Sequence, residues 1–168
     1  FNGSVPQFLS ALLPYQYPNS KDLSTPNLCC GLICLFLFFI FLTGRYKLRE
    51  KISACTILVF LFVSFIIRPL DWLWNGGHYT NMIPFRYSFI FSFILVLIAY
   101  RVFVDFDKVK MKQILFAVEI CLIGIILLYM YTGLTVTLLC LLTLAVYTVI
   151  VLLYIKGRLN GRLFSGVI

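Results

Sequence analysis

The polar stretch from Arg68 to Phe89 carries most of the side chains that could do chemistry. It contains both tryptophans, the only histidine and the acid Asp71. Arg68 opens the stretch and Arg86 lies near its end. Guanidinium groups bind phosphate through paired hydrogen bonds. The two arginines therefore predict a phosphate-binding site, and Arg86 is its leading candidate.

Each of these residues also has a plainer interpretation. An arginine near a helix end, such as Arg86, can simply anchor the chain among lipid headgroups. Asp71 can pair with Arg68 or Arg86, and we favour that pairing over a role as base, because a lone acid lacks the second group that most transfer chemistry uses. His78 alone is expected to be a hydrogen-bonded loop residue. The polar residues that accompany Arg86 are Arg68, Asp71, His78, Asn81 and Tyr87.

Glu119 is a weaker candidate, and it lies inside an apolar segment. An intramembrane carboxylate is a functional candidate by default, although it can also reach to the surface or pair with a neighbouring helix. The six cysteines all lie in apolar runs and are expected to be small packing residues. No cofactor or metal-ligand set is indicated, and the need for a divalent metal is left open.

The composition determines what kind of element holds these residues. The chain is 62% hydrophobic and 12% charged, whereas soluble domains contain about 25% charged residues. Its apolar segments approach the roughly 20 residues that a helix needs to cross a bilayer. We therefore predict an all-α, polytopic transmembrane bundle with a polar external loop before its third span. The predicted spans are residues 28–43, 52–67, 83–104, 113–131 and 134–155.

The chain divides into two parts. Residues 1–27 are expected to be an external segment, with a possible short interfacial helix that begins at Pro6. Residues 28–168 form the predicted transmembrane block, in which the dipeptide 132–133 forces the last two spans into an antiparallel hairpin. Because the chain begins at Phe1 and stops without a terminating feature, we expect it to be an internal piece of a larger protein.

The distribution of basic residues predicts the orientation. Eleven of the fourteen Lys and Arg residues lie in the 44–51 and 101–112 loops and the C-terminal tail. The positive-inside rule puts these segments in the cytoplasm, and residues 1–27 and 68–84 outside. The net charge of +8 is thereby explained by topology, so nucleic acid is not expected as a partner.

The run from Trp74 to Phe93 resembles the YfhO family of bacterial membrane proteins. That family commonly shows a tryptophan–histidine–glycine turn, an asparagine, and a proline–aromatic–arginine–tyrosine–serine–phenylalanine run that opens a helix. Ser64, Asp71 and the basic run 49–51 are similar as well, and the resemblance covers much of residues 1–105. Asn75 stands where the family has histidine, and Thr80 where proline is usual. The matching residues are Asn81, Pro84, Arg86, Tyr87, Ser88 and Phe89.

The resemblance implies a multi-span glycosyltransferase of the GT-C type. Its donor would be a polyprenyl-phosphate-linked sugar, and its acceptor a cell-envelope polymer such as lipoteichoic acid on the external face. The catalytic acid of such an enzyme is expected in a large external loop that this chain lacks, so the fragment alone would be inactive. Two alternatives stay open. One is a flippase or transporter of lipid-linked or small solutes that uses Glu119, and the other is a structural membrane module.

Overall fold

The structure is a computed structural model and describes residues 4–15, 25–78 and 85–155. All regular elements in these ranges are helical, including a short 3-10 helix at Phe106–Lys108. The all-α prediction is confirmed for this part of the chain. The α-helices are α1 (Val5–Ser10), α2 (Leu32–Thr43), α3 (Leu48–Ile66), α4 (Arg68–Trp74), α5 (Ser88–Val104), α6 (Met111–Leu127) and α7 (Tyr129–Ile155).

Large apolar side chains cover much of the outer surface of the helices. Phe93 on α5 is 59% exposed, Leu127 on α6 is 73% exposed and Met130 on α7 is 84% exposed. A helix that is apolar on all sides is either buried in a large core or surrounded by lipid. Contiguous apolar surface of this extent is unusual for a soluble monomer. The exposed surface is therefore that of a membrane-associated protein.

Helix α2 lies at the centre of the packing. It contacts α5 and α6 extensively and α7 to a smaller extent, while α3 packs against α5 and α1 packs against α7. The fully buried side chains of Phe36 and Ile40 place α2 in the core. The buried residues of α5 recur at helical spacing, at Phe91, Leu95 and Ile98. A continuous apolar core thus joins the elements that the polar stretch connects.

Side-chain contacts define two ends of the molecule. At one end the Lys51 ammonium donates to the carbonyls of Leu42 and Gly44, both at 2.7 Å, and joins the end of α2 to the start of α3. At the other end the Tyr87 hydroxyl donates to the Ser64 carbonyl at 2.9 Å and joins the end of α3 to the start of α5. The basic 44–51 and 101–112 loops share the first end, which we call the basic end. The α4 segment lies at the second, the α4 end.

The described helices are shorter than five complete spans would require. By length and composition α7 is long and apolar enough to cross a membrane, with a mean hydropathy of 2.7. The bent pair of α3 and α4 would add a second span if it is counted as one segment. Helices α2 and α5 are apolar but have only 12 and 17 residues. The five-span bundle therefore stays a prediction.

Helix α7 is broken near its start, at Gly133. This glycine has φ 77° and ψ 167°, a region that is open almost only to glycine. Two threonine hydroxyls satisfy the polar groups around the break. Thr137 donates to the Gly133 carbonyl at 2.8 Å, and its hydroxyl lies 2.9 Å from that of Thr132. The hairpin predicted at residues 132–133 coincides with this break, which follows a first turn at Leu128.

Candidate functional site

Helix α4 makes a sharp corner at the α4 end. Its axis is bent by 105° from that of α3, with the break at Ile67 and Pro69 in its first turn. Proline suits the first turn of a helix because the backbone N–H missing there would have no helical partner anyway. The sequence predicted a loop over residues 68–84, and that prediction was wrong for residues 68–74, which are helical.

A Schellman motif ends α4. The Gly76 N–H donates to the Leu73 carbonyl at 3.1 Å, and the Gly77 N–H donates to the Trp72 carbonyl at 3.0 Å. Both glycines have positive φ, as this motif favours. The Asn75 side chain adds a bond of 2.8 Å to the Asp71 carbonyl. The polar residues of α4 are therefore carried on a fixed turn.

Tyr87 connects the three elements at the α4 end. Its ring stacks between Phe65 of α3, at a centroid distance of 5.0 Å, and Trp74 of α4, at 5.1 Å. Its hydroxyl donates to the carbonyl of Ser64, one of the last carbonyls of α3, which lack a partner within the helix. Tyr87 therefore acts as a brace between α3, α4 and α5.

Further aromatic contacts surround this brace. Phe85 is 4% exposed and packs edge-on against Phe65 at 5.9 Å and against Phe8 of α1 at 5.8 Å. Phe65 also contacts Phe91 of α5 at 6.2 Å. Edge-on and offset ring pairs add roughly 0.5–1.5 kcal/mol each beyond the area that they bury. The cluster fixes the backbone that leads into α5.

Arg86 is exposed between two buried neighbours. Phe85 and Tyr87 both point into the aromatic cluster, and Phe85 has a positive φ of 59°. Within residues 4–15, 25–78 and 85–155, Arg86 forms no ion pair and no hydrogen bond through its side chain. The structure therefore places an exposed guanidinium on the turn that leads into α5.

The other predicted residues of this stretch are placed as follows. Arg68 begins α4 and is exposed, and Asp71 lies one turn later, where its Oδ1 accepts from Asn75 Nδ2 at 3.2 Å. Asp71 also lies beside Tyr87. His78 is exposed just after the Schellman turn. Asn81 lies outside the described residues, so its predicted role stays a prediction.

Glu119 is not brought to this site. It is exposed on α6, whose buried face consists of Ile114, Ala117, Cys121 and Ile125. Helix α6 begins at the basic end, where Gln113 donates to the Thr43 carbonyl at 2.8 Å. Glu119 thus lies on the outer surface of α6, and the structure does not join it to the α4 residues.

The sequence predicted the polar residues but missed the scaffold that carries them. Trp74, Phe65 and Tyr87 come from α4, α3 and the turn before α5, and their spacing gives no sign that their rings stack. A second polar surface, at the basic end, was also missed, because its residues were counted only for orientation. The sequence feature that could have indicated this surface is the presence of four basic residues in each of the two loops.

Comparisons with known proteins identify the family of the chain. No match to the chain was found among curated proteins or among solved structures. The family model described as bacterial membrane protein YfhO matches residues 1–164, well beyond the residues that carried the resemblance. Because this match covers nearly the whole chain, the chain belongs to the YfhO family of bacterial membrane proteins.

Proposed function

We propose that this chain is part of an integral membrane glycosyltransferase. The enzyme would transfer a sugar from a polyprenyl-phosphate-linked donor to a cell-envelope polymer, such as lipoteichoic acid, on the external face of the membrane. In this proposal the chain holds the donor phosphate, and the base that activates the acceptor hydroxyl belongs to another part of the full-length protein.

The observation that carries the proposal is the exposed Arg86 guanidinium on a fixed backbone. Its neighbours Phe85 and Tyr87 are held by the aromatic cluster, so the backbone at Arg86 loses little conformational freedom when the side chain meets a ligand. A cationic donor next to developing negative charge lowers the energy of the transition state. Its planar fork also matches a phosphate better than an ammonium group does.

The surroundings of Arg86 suit a sugar attached to a lipid phosphate. Trp72 and Trp74 of α4 are 41% and 40% exposed. Half-exposed indole rings offer an apolar face and a polar N–H edge, and they are enriched where protein meets lipid headgroups. Arg68 supplies a second positive charge on the same short helix.

The reaction would be a substitution at the anomeric carbon of the donor sugar. The bond from this carbon to the phosphate oxygen breaks, a bond to the acceptor oxygen forms, and the acceptor proton passes to the base. Negative charge then grows on the departing lipid phosphate. Arg86, assisted by Arg68, would stabilise that charge and so lower the barrier.

The test is sugar transfer by the full-length protein carrying Arg86→Ala or Arg86→Lys. Removing a charge-stabilising donor typically costs roughly 10²–10³-fold in turnover, and we expect a loss of that order for Arg86→Ala. Arg86→Lys keeps the charge but loses the fork, so its activity should be intermediate. The measurement is labelled sugar incorporated into the polymer, normalised to protein abundance.

Lys112→Ala is the matched control, because Lys112 is an exposed basic residue at the start of α6. We expect it to retain transfer within about twofold. Near-normal transfer by Arg86→Ala at normal abundance would exclude the phosphate-binding role. A variant in which the donor fails to reach the external face, but in which transfer is normal once donor is supplied at that face, would instead favour the transporter alternative.

A further inference from the structure

A polar pocket of about 390 Å³ lies at the basic end, opposite α4. It is enclosed by the end of α2, the loop into α3, the last turns of α5 and the segment that leads to α6. Its volume falls within the range of roughly 300–1,000 Å³ that is typical of small-molecule sites. The basic side chains that line it are Arg45, Lys47, Arg101, Lys108 and Lys110. We call it the basic pocket.

The acids in the basic pocket do not balance its cations. Asp105 accepts from the Lys108 ammonium at 2.6 Å and lies 3.3 Å from an Arg101 guanidinium nitrogen. The hydrogen bond from Lys108 lowers the pKa of Asp105, which therefore stays ionised at neutral pH. Glu50 is the second acid. Five cations against two carboxylates leave the pocket with a charge of +3.

Three of the cations have no carboxylate partner in the part of the chain that the structure describes. They are Arg45, Lys47 and Lys110, and all three are exposed. Like charges that converge on one cavity repel each other. A bound anion would offset that repulsion. An anion with several oxygen atoms could accept hydrogen bonds from more than one of these basic side chains.

The backbone carbonyl groups at the C-terminal end of α2, next to the basic pocket, would not repel a bound anion. The last carbonyls of a helix normally lack partners and carry partial negative charge. Here the Lys51 ammonium binds the carbonyls of Leu42 and Gly44, and Gln113 donates to the carbonyl of Thr43. These bonds neutralise the C-terminal end of α2 at the floor of the cavity.

Tyr46 adds a neutral donor to the pocket wall. Its ring packs on Phe41 at a centroid distance of 4.8 Å and lies 5.8 Å from the Arg101 guanidinium carbon. Burial, followed by the charge of Asp105, raises the pKa of Tyr46. The phenol therefore keeps the proton that it can donate to an anionic oxygen.

The pocket also has an apolar wall, at Ile40 and Val109. The part of α5 that precedes Arg101 has an apolar outer surface, with Leu97 and Tyr100 50% and 65% exposed. A cationic cavity at the helix ends, above a surface suited to hydrocarbon, matches an amphipathic anion better than a free one. Basic pockets between helix ends are recognised sites for phospholipid headgroups.

We propose that the basic pocket binds the phosphate of an anionic phospholipid, on the membrane face opposite to α4. The pocket would recognise the oxygen atoms of a phosphate group, which a phospholipid or a soluble phosphate could supply. The apolar wall favours the lipid. This proposal does not depend on the glycosyltransferase function, because the two sites lie at opposite ends of the molecule.

The test uses the full-length protein in phosphatidylcholine nanodiscs that contain some phosphatidylglycerol. Retained phosphatidylglycerol is counted by native mass spectrometry after extraction into detergent. We expect the double variant Lys47→Gln/Lys110→Gln to weaken retention roughly 30-fold, since each lost hydrogen bond to the bound phosphate costs about 1 kcal/mol. The matched control is Arg49→Gln/Lys112→Gln, which removes the same charge from the same end but outside the pocket.

Retention that depends on the pocket pair and not on the control pair supports the proposal. Equal losses in both pairs would mean diffuse attraction to surface charge and would overturn it, as would no loss in either. A second arm adds inorganic phosphate or glycerol phosphate to the protein in pure phosphatidylcholine nanodiscs. Saturable binding there, together with displacement of phosphatidylglycerol, would assign the site to a soluble phosphate and overturn the lipid assignment.

Discussion

At the residue scale, Tyr87 shows how a residue that is predicted to bind a ligand can also hold its neighbours in place. It was predicted as a substrate-binding candidate next to Arg86. The structure gives it a side chain that is 5% exposed and a hydroxyl that is bound to the Ser64 carbonyl. Its ring then holds Trp74 against Phe65. Its contribution to a site is therefore to fix the direction in which Arg86 leaves the backbone.

We expect Tyr87→Phe to lower the free energy of unfolding by about 1–3 kcal/mol, because the Ser64 carbonyl would be left buried without a partner. The measurement is chemical or thermal unfolding of the purified protein in detergent. Tyr100→Phe is the control, since Tyr100 is 65% exposed on α5, and it should change stability by less than about 0.5 kcal/mol. Equal stability of Tyr87→Phe and the wild type would show that the hydroxyl bond contributes nothing.

At the element scale, the two breaks in the helices have different causes. Between α3 and α4 the chain leaves the helical region at Ile67 and resumes with a proline in the first turn. At Gly133 the backbone adopts angles that a side chain would oppose. The first break positions the polar residues of α4, and the second determines where α7 becomes a straight helix.

We expect Gly133→Ala to destabilise the protein by about 1–3 kcal/mol, because its φ of 77° and ψ of 167° suit glycine almost alone. Gly124→Ala in α6 provides the contrast. A Cβ there would meet no atom within 4 Å, and alanine favours a helix by up to about 1 kcal/mol over glycine. Unfolding midpoints should therefore shift in opposite directions. Similar shifts in the two variants would argue against a strained Gly133.

At the scale of the whole molecule, the two polar surfaces occupy opposite ends. Tyr154 of α7 donates to Asp107 at 2.5 Å and so adds the end of α7 to the basic end. The 44–51 and 101–112 loops therefore share one end with the end of α7, as the alternation of the predicted spans requires. We expect the basic end to face the cytoplasm and the α4 end to face outside.

Cysteine labelling tests this orientation. In a cysteine-free version of the full-length protein, His78→Cys should react with a membrane-impermeant maleimide in intact cells, whereas Arg49→Cys should react only after the cells are permeabilised. Both side chains are exposed, so a difference in labelling reports the side of the membrane. The reverse pattern would invert the orientation and exclude an external phosphate site at Arg86.

The sequence predicted most helices well, because their apolar runs are long. The predicted spans 52–67 and 113–131 correspond to α3 and α6, with bounds that differ by one to four residues. It could not predict the stack of Tyr87 between Trp74 and Phe65, which depends on the 105° bend and on residues far apart in the chain. The basic loops were likewise interpreted only as signals of membrane orientation. The sequence of each loop does not show that the cations of both loops line one cavity.

The threonine bonds around Gly133 bear on how the protein enters a bilayer. Irregular backbone is costly in hydrocarbon only when its polar groups lack partners, and here Thr137 satisfies the Gly133 carbonyl. No charged residue lies between Glu119 and Lys156, and the tip carries the exposed Leu127 and Met130. Helices α6 and α7 can therefore insert together as a closed hairpin, whose tip crosses the bilayer without carrying water or charge with it.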